Sequence, residues 1–255
     1  MQLNATTYGT PTERPPLVVA HGLFGAARNW SAIGKRLAAD RQVVAVDMRN
    51  HGDSPRSAVN DYPAMAADLG ETIAALGGEA DLLGHSMGGK AAMALALTDP
   101  AAIRRLIVAD MAPVAYDRSQ LPFVEAMQAV DLATVARRSD VDAALAAAVP
   151  DPAVRTFLAQ SVALGPDGAA WKLNLPVLGA EMPRIMGWPE VAGRFDGPTL
   201  FLTGAASDYV GADALPRIQA LFPAARVETI PGAGHWLHAD APAAFIAAVQ
   251  AFLAD

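Results

Sequence analysis

Short apolar runs alternate along this chain with longer amphipathic segments. A short continuous apolar run is typical of a β-strand that is buried on both faces of a sheet. The runs predict strands at residues 17–20, 42–46, 80–83, 106–109, 199–203 and 226–230, with a weaker edge strand within residues 2–8. The intervening periodicity predicts helices at residues 29–39, 62–76, 89–98, 212–221 and 242–253. Because strands alternate with helices, we predict an α/β fold with a mostly parallel sheet covered on both faces.

The alternation stops after Asp110. Residues 111–195 are alanine-rich, are interrupted by several prolines, and contain helical segments but no convincing strand. A helical insertion between two parts of one sheet is typical of a lid. We therefore predict a core made of residues 1–111 and 196–255, and a helical cap, residues 112–195, inserted after the strand that ends at Asp110.

The motif Gly84-His85-Ser86-Met87-Gly88 is the strongest chemical signal, and it lies between a predicted strand and a predicted helix. This is the setting of a nucleophile elbow, in which a serine stands at the tip of a strained turn. A rival interpretation, a phosphate-binding P-loop, needs Ser or Thr after the lysine of the motif, where this chain has Ala91. We predict Ser86 as a nucleophile, with the backbone N–H of Met87 as one donor to the oxyanion that forms on attack.

Other polar residues also follow predicted strands. Asp110, Ser207, Asp208 and His235 all lie just past a strand end, where parallel sheets gather their functional groups. A serine hydroxyl needs a base, and imidazole is suited to this near neutral pH. His235 follows the serine in chain order and precedes the final helix, so we predict it as the base.

The remaining histidines and Lys90 are expected to have supporting roles. His21 and His85 flank the glycines of the expected site, which favours packing or hydrogen bonding. His51 is expected in a turn, His238 at the surface, and Lys90 either at the surface or pinning a loop. Two histidines without a nearby carboxylate do not make a good metal site, so we expect no metal.

Composition limits the classes of function. A net charge of -7 and a pI near 5.2 argue against nucleic acid or an anionic membrane as partner. The absence of cysteine excludes disulfides and thiolate chemistry. The first sixteen residues lack the pattern of a signal peptide, and no apolar stretch approaches the ~18 residues of a membrane span, so we expect a cytoplasmic protein.

Five motifs together resemble the α/β-hydrolase superfamily. They are His21-Gly22, the run Asp-Met-Arg-Asn-His-Gly at 47–52, the elbow at 84–90, the run Asp-Met-Ala-Pro-Val-Ala-Tyr at 110–116, and Gly-Ala-Gly-His-Trp at 232–236. The second and fourth motifs narrow the resemblance to the YbfF-like small serine esterases. The resemblance covers nearly the whole chain and is weakest in the cap. It implies the α/β-hydrolase fold, and an oxyanion donor from the loop after Gly22, with Leu23 favoured and Phe24 as the alternative.

The resemblance also bears on the acid that orients the base. Most members of the superfamily place it three residues past a glycine after the strand that follows the cap. Counting from Gly204, that position is Ser207, and Asp208 follows it. The subfamily has serine there and takes its acid from the strand after the nucleophile helix. The resemblance therefore implies Asp110 as the acid and Ser207 as an auxiliary hydrogen-bond partner, with Asp208 as the alternative acid.

The implied activity is hydrolysis of carboxylic esters through an acyl-enzyme on Ser86. Short- to medium-chain acyl esters or thioesters are the expected small-molecule substrates, with no cofactor, and a monomer or small homo-oligomer is expected. Thioesterase, perhydrolase, lactonase and C–C hydrolase activities need the same residues, and a non-catalytic small-molecule receptor is the alternative from another class. Apolar cap residues are expected either to line an acyl pocket or to pack on the core: Leu121, Phe123, Met127, Leu158, Trp171, Leu175, Val177, Met182, Met186 and Trp188.

Overall fold

A central sheet organises the chain, which a computed structural model describes over residues 1–254. The strands are β1 (Ala5–Tyr8), β2 (Leu17–Ala20), β3 (Val43–Val46), β4 (Ala80–His85), β5 (Ile103–Ala109), β6 (Val162–Gly165), β7 (Gly168–Trp171), β8 (Thr199–Gly204) and β9 (Ala225–Ile230). All except β6 and β7 form one seven-stranded sheet in the order β1-β3-β2-β4-β5-β8-β9. Within this seven-stranded sheet of the described residues, only the edge strand β1 runs antiparallel to its neighbour.

Helices cover both faces of this sheet. They are α1 (Ser31–Leu37), α2 (Tyr62–Ala75), α3 (Met87–Thr98), α4 (Leu121–Gln128), α5 (Arg138–Leu145), α6 (Pro152–Ala159), α7 (Leu175–Ala180), α8 (Met182–Met186), α9 (Leu215–Leu221), α10 (Leu237–Asp240) and α11 (Pro242–Ala254). One apolar layer packs the sheet against α2, α3, α9 and the segment 112–195, and the other packs it against α1 and α11. The predicted α/β fold with a mostly parallel sheet is therefore confirmed.

The register of the sheet aligns the carboxyl ends of its central strands. Ala20 of β2 lies opposite Gly84 of β4, Gly84 lies opposite Val108 of β5, and Val108 lies opposite Phe201 of β8. The loops that follow these four strands therefore emerge side by side at one edge. This edge is where parallel α/β sheets bind their ligands.

The segment 112–195 lies between β5 and β8 and contains α4 to α8. The expectation that it has no strand is wrong, because β6 and β7 form an antiparallel hairpin in which Val162 pairs with Trp171 and Gly165 pairs with Gly168. The hairpin was missed because its strands are short, alanine-rich and half exposed, so they lack the apolar run of a core strand. A local signal was present in Pro166-Asp167-Gly168, since this combination favours a tight turn.

None of the helices within residues 1–254 combines the length and the apolar character that crossing a bilayer requires.

Candidate active site

Ser86 stands at a sharp turn between β4 and α3. Its backbone is in the left-handed region, with φ 52° and ψ -119°, which costs a non-glycine residue free energy and is typical of a functional position. The two glycines of the motif are required by close approach. A Cβ on Gly84 would lie 2.3 Å from the carbonyl oxygen of Gly88, and one on Gly88 would lie 2.4 Å from that of Ala20. The turn thus forms only with this glycine spacing.

Three of the predicted residues meet at this turn. The hydroxyl oxygen of Ser86 lies 3.0 Å from Nε2 of His235, and Nδ1 of His235 lies 2.8 Å from Oδ2 of Asp110. A carboxylate can only accept, so Nδ1 carries the imidazole proton and Nε2 is free to accept the proton of Ser86. Asp110 is fully buried and also accepts the backbone N–H of Gly204 at 3.0 Å.

The structure separates the two candidate acids. Ser207 donates its hydroxyl to Oδ2 of Asp110, as the auxiliary role requires. The carboxylate of Asp208 is exposed and pairs with Arg118 at 2.5 Å rather than with His235. The hydrogen bond from Arg118 lowers the pKa of Asp208. Of these two carboxylates, Asp110 is therefore the one that is hydrogen-bonded to the imidazole of His235.

The loop after β2 brings a second backbone donor to the serine. Neither the N–H of Leu23 nor that of Met87 donates to an acceptor within the described residues 1–254. Both residues line the cavity beside Ser86. The N–H of Phe24 is already engaged, because it donates to Nε2 of His51 at 3.2 Å. Of the two residues expected in this loop, Leu23 is thus the one with an N–H available to an oxyanion.

A cavity of about 210 Å³ opens above Ser86 and His235. Its walls are largely apolar and include Leu23, Phe123, Phe157, Leu158, Met186 and Trp236. Phe123, Leu158 and Met186 belong to the ten cap residues for which an acyl pocket or core packing was expected. Apolar side chains from the segment 112–195 thus line the cavity beside the serine.

Comparison with known proteins fits this geometry. A family model described as alpha/beta hydrolase fold matches residues 15–242. The chain belongs to the α/β-hydrolase family. It is 38% identical over 257 residues to the Escherichia coli (strain K12) esterase YbfF, covering 100% of this chain and 99% of that protein. It is 39% identical over 249 residues to the Mus musculus sn-1-specific diacylglycerol lipase ABHD11, covering 94% of this chain and 81% of that protein.

A solved structure named as a marine microorganism esterase matches with a TM-score of 0.93 and 34% identity, covering 98% of this chain and 99% of that one. These likenesses show that the chain is a hydrolase and a YbfF-like member of the family. Ester hydrolysis is the activity for which these relatives are named.

The other histidines of this hydrolase support the site from inside the protein. His85 donates from Nε2 to the carbonyl oxygen of His235 at 2.8 Å, and His21 accepts the backbone N–H of Met48 at 2.9 Å. Both roles agree with the expected packing and hydrogen bonding. Burial lowers the pKa of His85 well below its usual value and also lowers that of His21, so both stay neutral near pH 7.

His238 is not a surface residue, and that expectation is wrong. Its ring stacks on the buried Trp30 with centroids 4.3 Å apart, and it lines the cavity. Burial lowers its pKa to about 4. The spacing from His235 suggested one helical face, but α10 begins only at Leu237, so the chain turns between the two histidines.

Lys90 is also buried, so its surface alternative is wrong and the loop-pinning one agrees with the geometry. Its ammonium group donates to the carbonyl oxygens of Met186 at 3.0 Å and Gly187 at 2.5 Å, and lies 4.6 Å from the ring centre of Tyr116. These carbonyls end α8, where the helix dipole favours a cation. Burial lowers the pKa of Lys90 to about 7. The residue links α3 to the end of α8.

Within the described range 1–254, no three or more histidine or carboxylate side chains come together as ligands for a metal ion.

Proposed function

We propose that this hydrolase cleaves short- to medium-chain acyl esters or thioesters through an acyl-enzyme on Ser86. The observation that carries the proposal is the hydrogen-bonded line from Ser86 through His235 to Asp110 beneath an apolar cavity. Residues 112–195 serve as the cap that closes this cavity. A volume of about 210 Å³ is below the ~300–1,000 Å³ of pockets that hold drug-sized ligands, which favours shorter acyl groups.

In the acylation step, the hydroxyl oxygen of Ser86 attacks the ester carbonyl while Nε2 of His235 takes its proton. The negative charge that develops on the carbonyl oxygen is met by the N–H groups of Leu23 and Met87. The tetrahedral intermediate then expels the alcohol or thiol, which receives the proton from His235. Asp110 holds the imidazole in the required tautomer and stabilises its charged form.

In the deacylation step, a water molecule enters the place of the departed alcohol. Nε2 of His235 removes one of its protons as the oxygen attacks the acyl carbonyl, and the proton then passes to the leaving oxygen of Ser86. The carboxylic acid is released and the free serine is restored. Each group is used twice, so no cofactor enters the sequence of steps.

The experiment is hydrolysis of a p-nitrophenyl ester series from C2 to C12 by the wild type and by Ser86→Ala. The wild type is expected to turn over the shorter esters, and Ser86→Ala is expected to lose at least about a thousandfold in kcat/KM. A fluorophosphonate probe should label wild-type Ser86 and leave Ser86→Ala unlabelled. Ser139→Ala, at an exposed cap serine, is the matched control and should behave as wild type.

Two outcomes would contradict the proposal. Folded wild type that neither hydrolyses any of these esters nor reacts with the probe would favour the small-molecule receptor. Probe labelling of Ser86 without ester turnover would keep the nucleophile and favour lactonase, perhydrolase or C–C hydrolase activity on other substrates.

A further inference from the structure

The loop that supplies the N–H of Leu23 is held at each of its peptide groups. The carbonyl oxygen of Gly22 accepts from Nδ1 of His21 at 2.8 Å and from the N–H of Gly25 at 3.0 Å. A trans peptide points its N–H opposite to its carbonyl, so these bonds fix the direction of the Leu23 N–H. The next residue, Phe24, is in the left-handed region with φ 63°, which is costly for a bulky side chain. The loop therefore needs outside support to keep this shape.

Both backbone polar groups of Phe24 are hydrogen-bonded to side chains from other segments. Its N–H donates to Nε2 of His51 at 3.2 Å, and its carbonyl oxygen accepts the hydroxyl of Ser161 at 2.9 Å. His51 is fully buried and donates from Nδ1 to the carbonyl oxygen of Arg49, which leaves Nε2 as an acceptor. Burial lowers the pKa of His51 to about 3, so this acceptor stays available near neutral pH. Ser161, by contrast, belongs to the cap.

Ser161 lies at the start of the β6–β7 hairpin and is itself firmly placed. Its N–H donates to the carbonyl oxygen of Leu158 at 2.9 Å, and its carbonyl oxygen accepts the N–H of Lys172 at 2.8 Å. The side chain is buried, so water has little access to compete for the hydrogen bond between the Ser161 hydroxyl and Phe24. The adjacent Gln160 accepts the amide of Asn29 at 2.9 Å. The first end of the hairpin thus rests on the loop after β2.

The other end of the same hairpin rests on the turn that carries His51. Leu173 forms a β-bridge with His51. The N–H of Asn174 donates to the carbonyl oxygen of Asn50 at 2.9 Å, and its side-chain amide donates to Oδ1 of Asn50 at 2.9 Å. Both partners of Phe24 are therefore connected to one element of the cap.

We propose that Ser161 is a positioning residue for the oxyanion hole, and that the hole is complete only when the cap hairpin, residues 160–174, is seated on the core. This inference rests on the proposed function, because it assigns the Leu23 N–H to an oxyanion. As a consequence, the Leu23 N–H reaches the position that stabilises the oxyanion only when the cap hairpin closes onto the core. A site with the hairpin lifted binds acyl chains but stabilises the transition state poorly.

The test compares Ser161→Ala with Arg56→Met in ester hydrolysis. Ser161→Ala removes the hydroxyl that holds Phe24, and we expect kcat to fall about 10- to 100-fold with KM changed less than about threefold. Affinity for a trifluoromethyl ketone, which mimics the tetrahedral intermediate, should fall by a factor similar to that of kcat. Arg56→Met is the matched control, because Arg56 donates to the carbonyl oxygen of Trp171 in the same hairpin without touching the loop. Its kcat should stay within about twofold of wild type.

Hydrogen exchange on the unliganded protein gives a second measurement that does not depend on turnover. Amides in residues 22–27 should exchange faster in Ser161→Ala and at the wild-type rate in Arg56→Met. Ser161→Cys, which keeps a weak donor, should fall between wild type and Ser161→Ala in both measurements.

Several results would overturn the inference. If wild type hydrolyses esters and Ser161→Ala changes only KM, or leaves kcat and exchange as in wild type, Ser161 does not position the hole although the proposed function stands. An equal loss of kcat in Arg56→Met would overturn the specific role of Ser161, because loosening the hairpin at another contact would then have the same effect as removing its hydroxyl. If wild type shows neither turnover nor labelling of Ser86, the proposed function fails and this inference fails with it.

Discussion

Replacing Asp110 by asparagine tests the proposed acid at a position where the hydrogen bonds dictate the result. The carboxylate accepts three donors: the N–H of Gly204 at Oδ1, and the hydroxyl of Ser207 and Nδ1 of His235 at Oδ2. An asparagine side chain has one acceptor oxygen and one NH2 group, so at least one donor must face another donor.

Each orientation of that amide has a cost. If the NH2 group of the asparagine faces His235, the imidazole must carry its proton on Nε2, where Ser86 needs a lone pair. The expected loss in kcat is then about 10⁴, which corresponds to about 5 kcal/mol in the activation free energy. With its oxygen toward His235, the NH2 faces the N–H of Gly204 in a fully buried site, at a cost of about 1–3 kcal/mol in the free energy of unfolding. We expect Asp110→Asn to show the loss of kcat, the loss of stability, or a division between them.

The assay measures kcat and KM on p-nitrophenyl butyrate for Asp110→Asn and Asp208→Asn, with urea unfolding of each protein. Asp208→Asn is the control, because its exposed pair with Arg118 contributes little, and kcat should stay within about twofold of wild type. The reasoning is refuted if Asp110→Asn retains wild-type kcat and stability, and the acid assignment is reversed if Asp208→Asn is the inactive variant.

Two further predictions concern buried groups that titrate. Burial lowers the pKa of His51 to about 3 from its usual 6.5. Below pH 6.5 the unfolded chain therefore binds a proton that the folded protein excludes, and the free energy of unfolding decreases as the pH is lowered. Urea unfolding at pH 7.5 and pH 5 should show a decrease that is about 2 kcal/mol smaller in His51→Gln than in wild type, and an equal decrease would contradict the neutral histidine. Burial likewise lowers the pKa of Lys90 to about 7 from 10.5, so the unfolded chain keeps a proton above pH 7 that the folded protein releases. The stability of wild type relative to Lys90→Met should therefore rise by about 2 kcal/mol from pH 7 to pH 9, whereas a constant difference would show that Lys90 stays charged.

Local patterns in the sequence were sufficient to predict the main strands of the central sheet. The run from Leu17 to Ala20 was predicted as a strand with its observed bounds, because a strand covered on both faces shows its burial directly in its composition. The glycine spacing around Ser86 is a local pattern too, although its reasons are only partly local: a Cβ on Gly84 would meet the carbonyl oxygen of Gly88 in the same turn, and one on Gly88 would meet that of Ala20 at the end of β2.

What the sequence missed depends on contacts between distant segments. Lys90 is buried only because the end of α8, almost a hundred residues later, supplies two carbonyl acceptors. His238 is covered because Trp30 offers a ring on which to stack. The hairpin is held by Phe24, Asn50 and His51, and the composition of a half-exposed strand does not indicate such partners.

The choice between Asp110 and Asp208 also depends on such contacts, and they support the proposed acid, Asp110. The strands β5 and β8 are neighbours in the sheet, so residues after either strand begin within about 5 Å of each other in the hydrogen-bonding direction. A carboxylate at the end of β5 can therefore occupy the place that most of the superfamily fills from β8. Two features support the proposed acid at the end of β5. The backbone of Asp110 is in the left-handed region, with φ 50°, and Gly204 and Ser207 at the end of β8 both donate to its carboxylate. Since Ser207 already occupies the usual acid position as a donor, the proposed acid moves by one strand while the imidazole of His235 keeps its orientation.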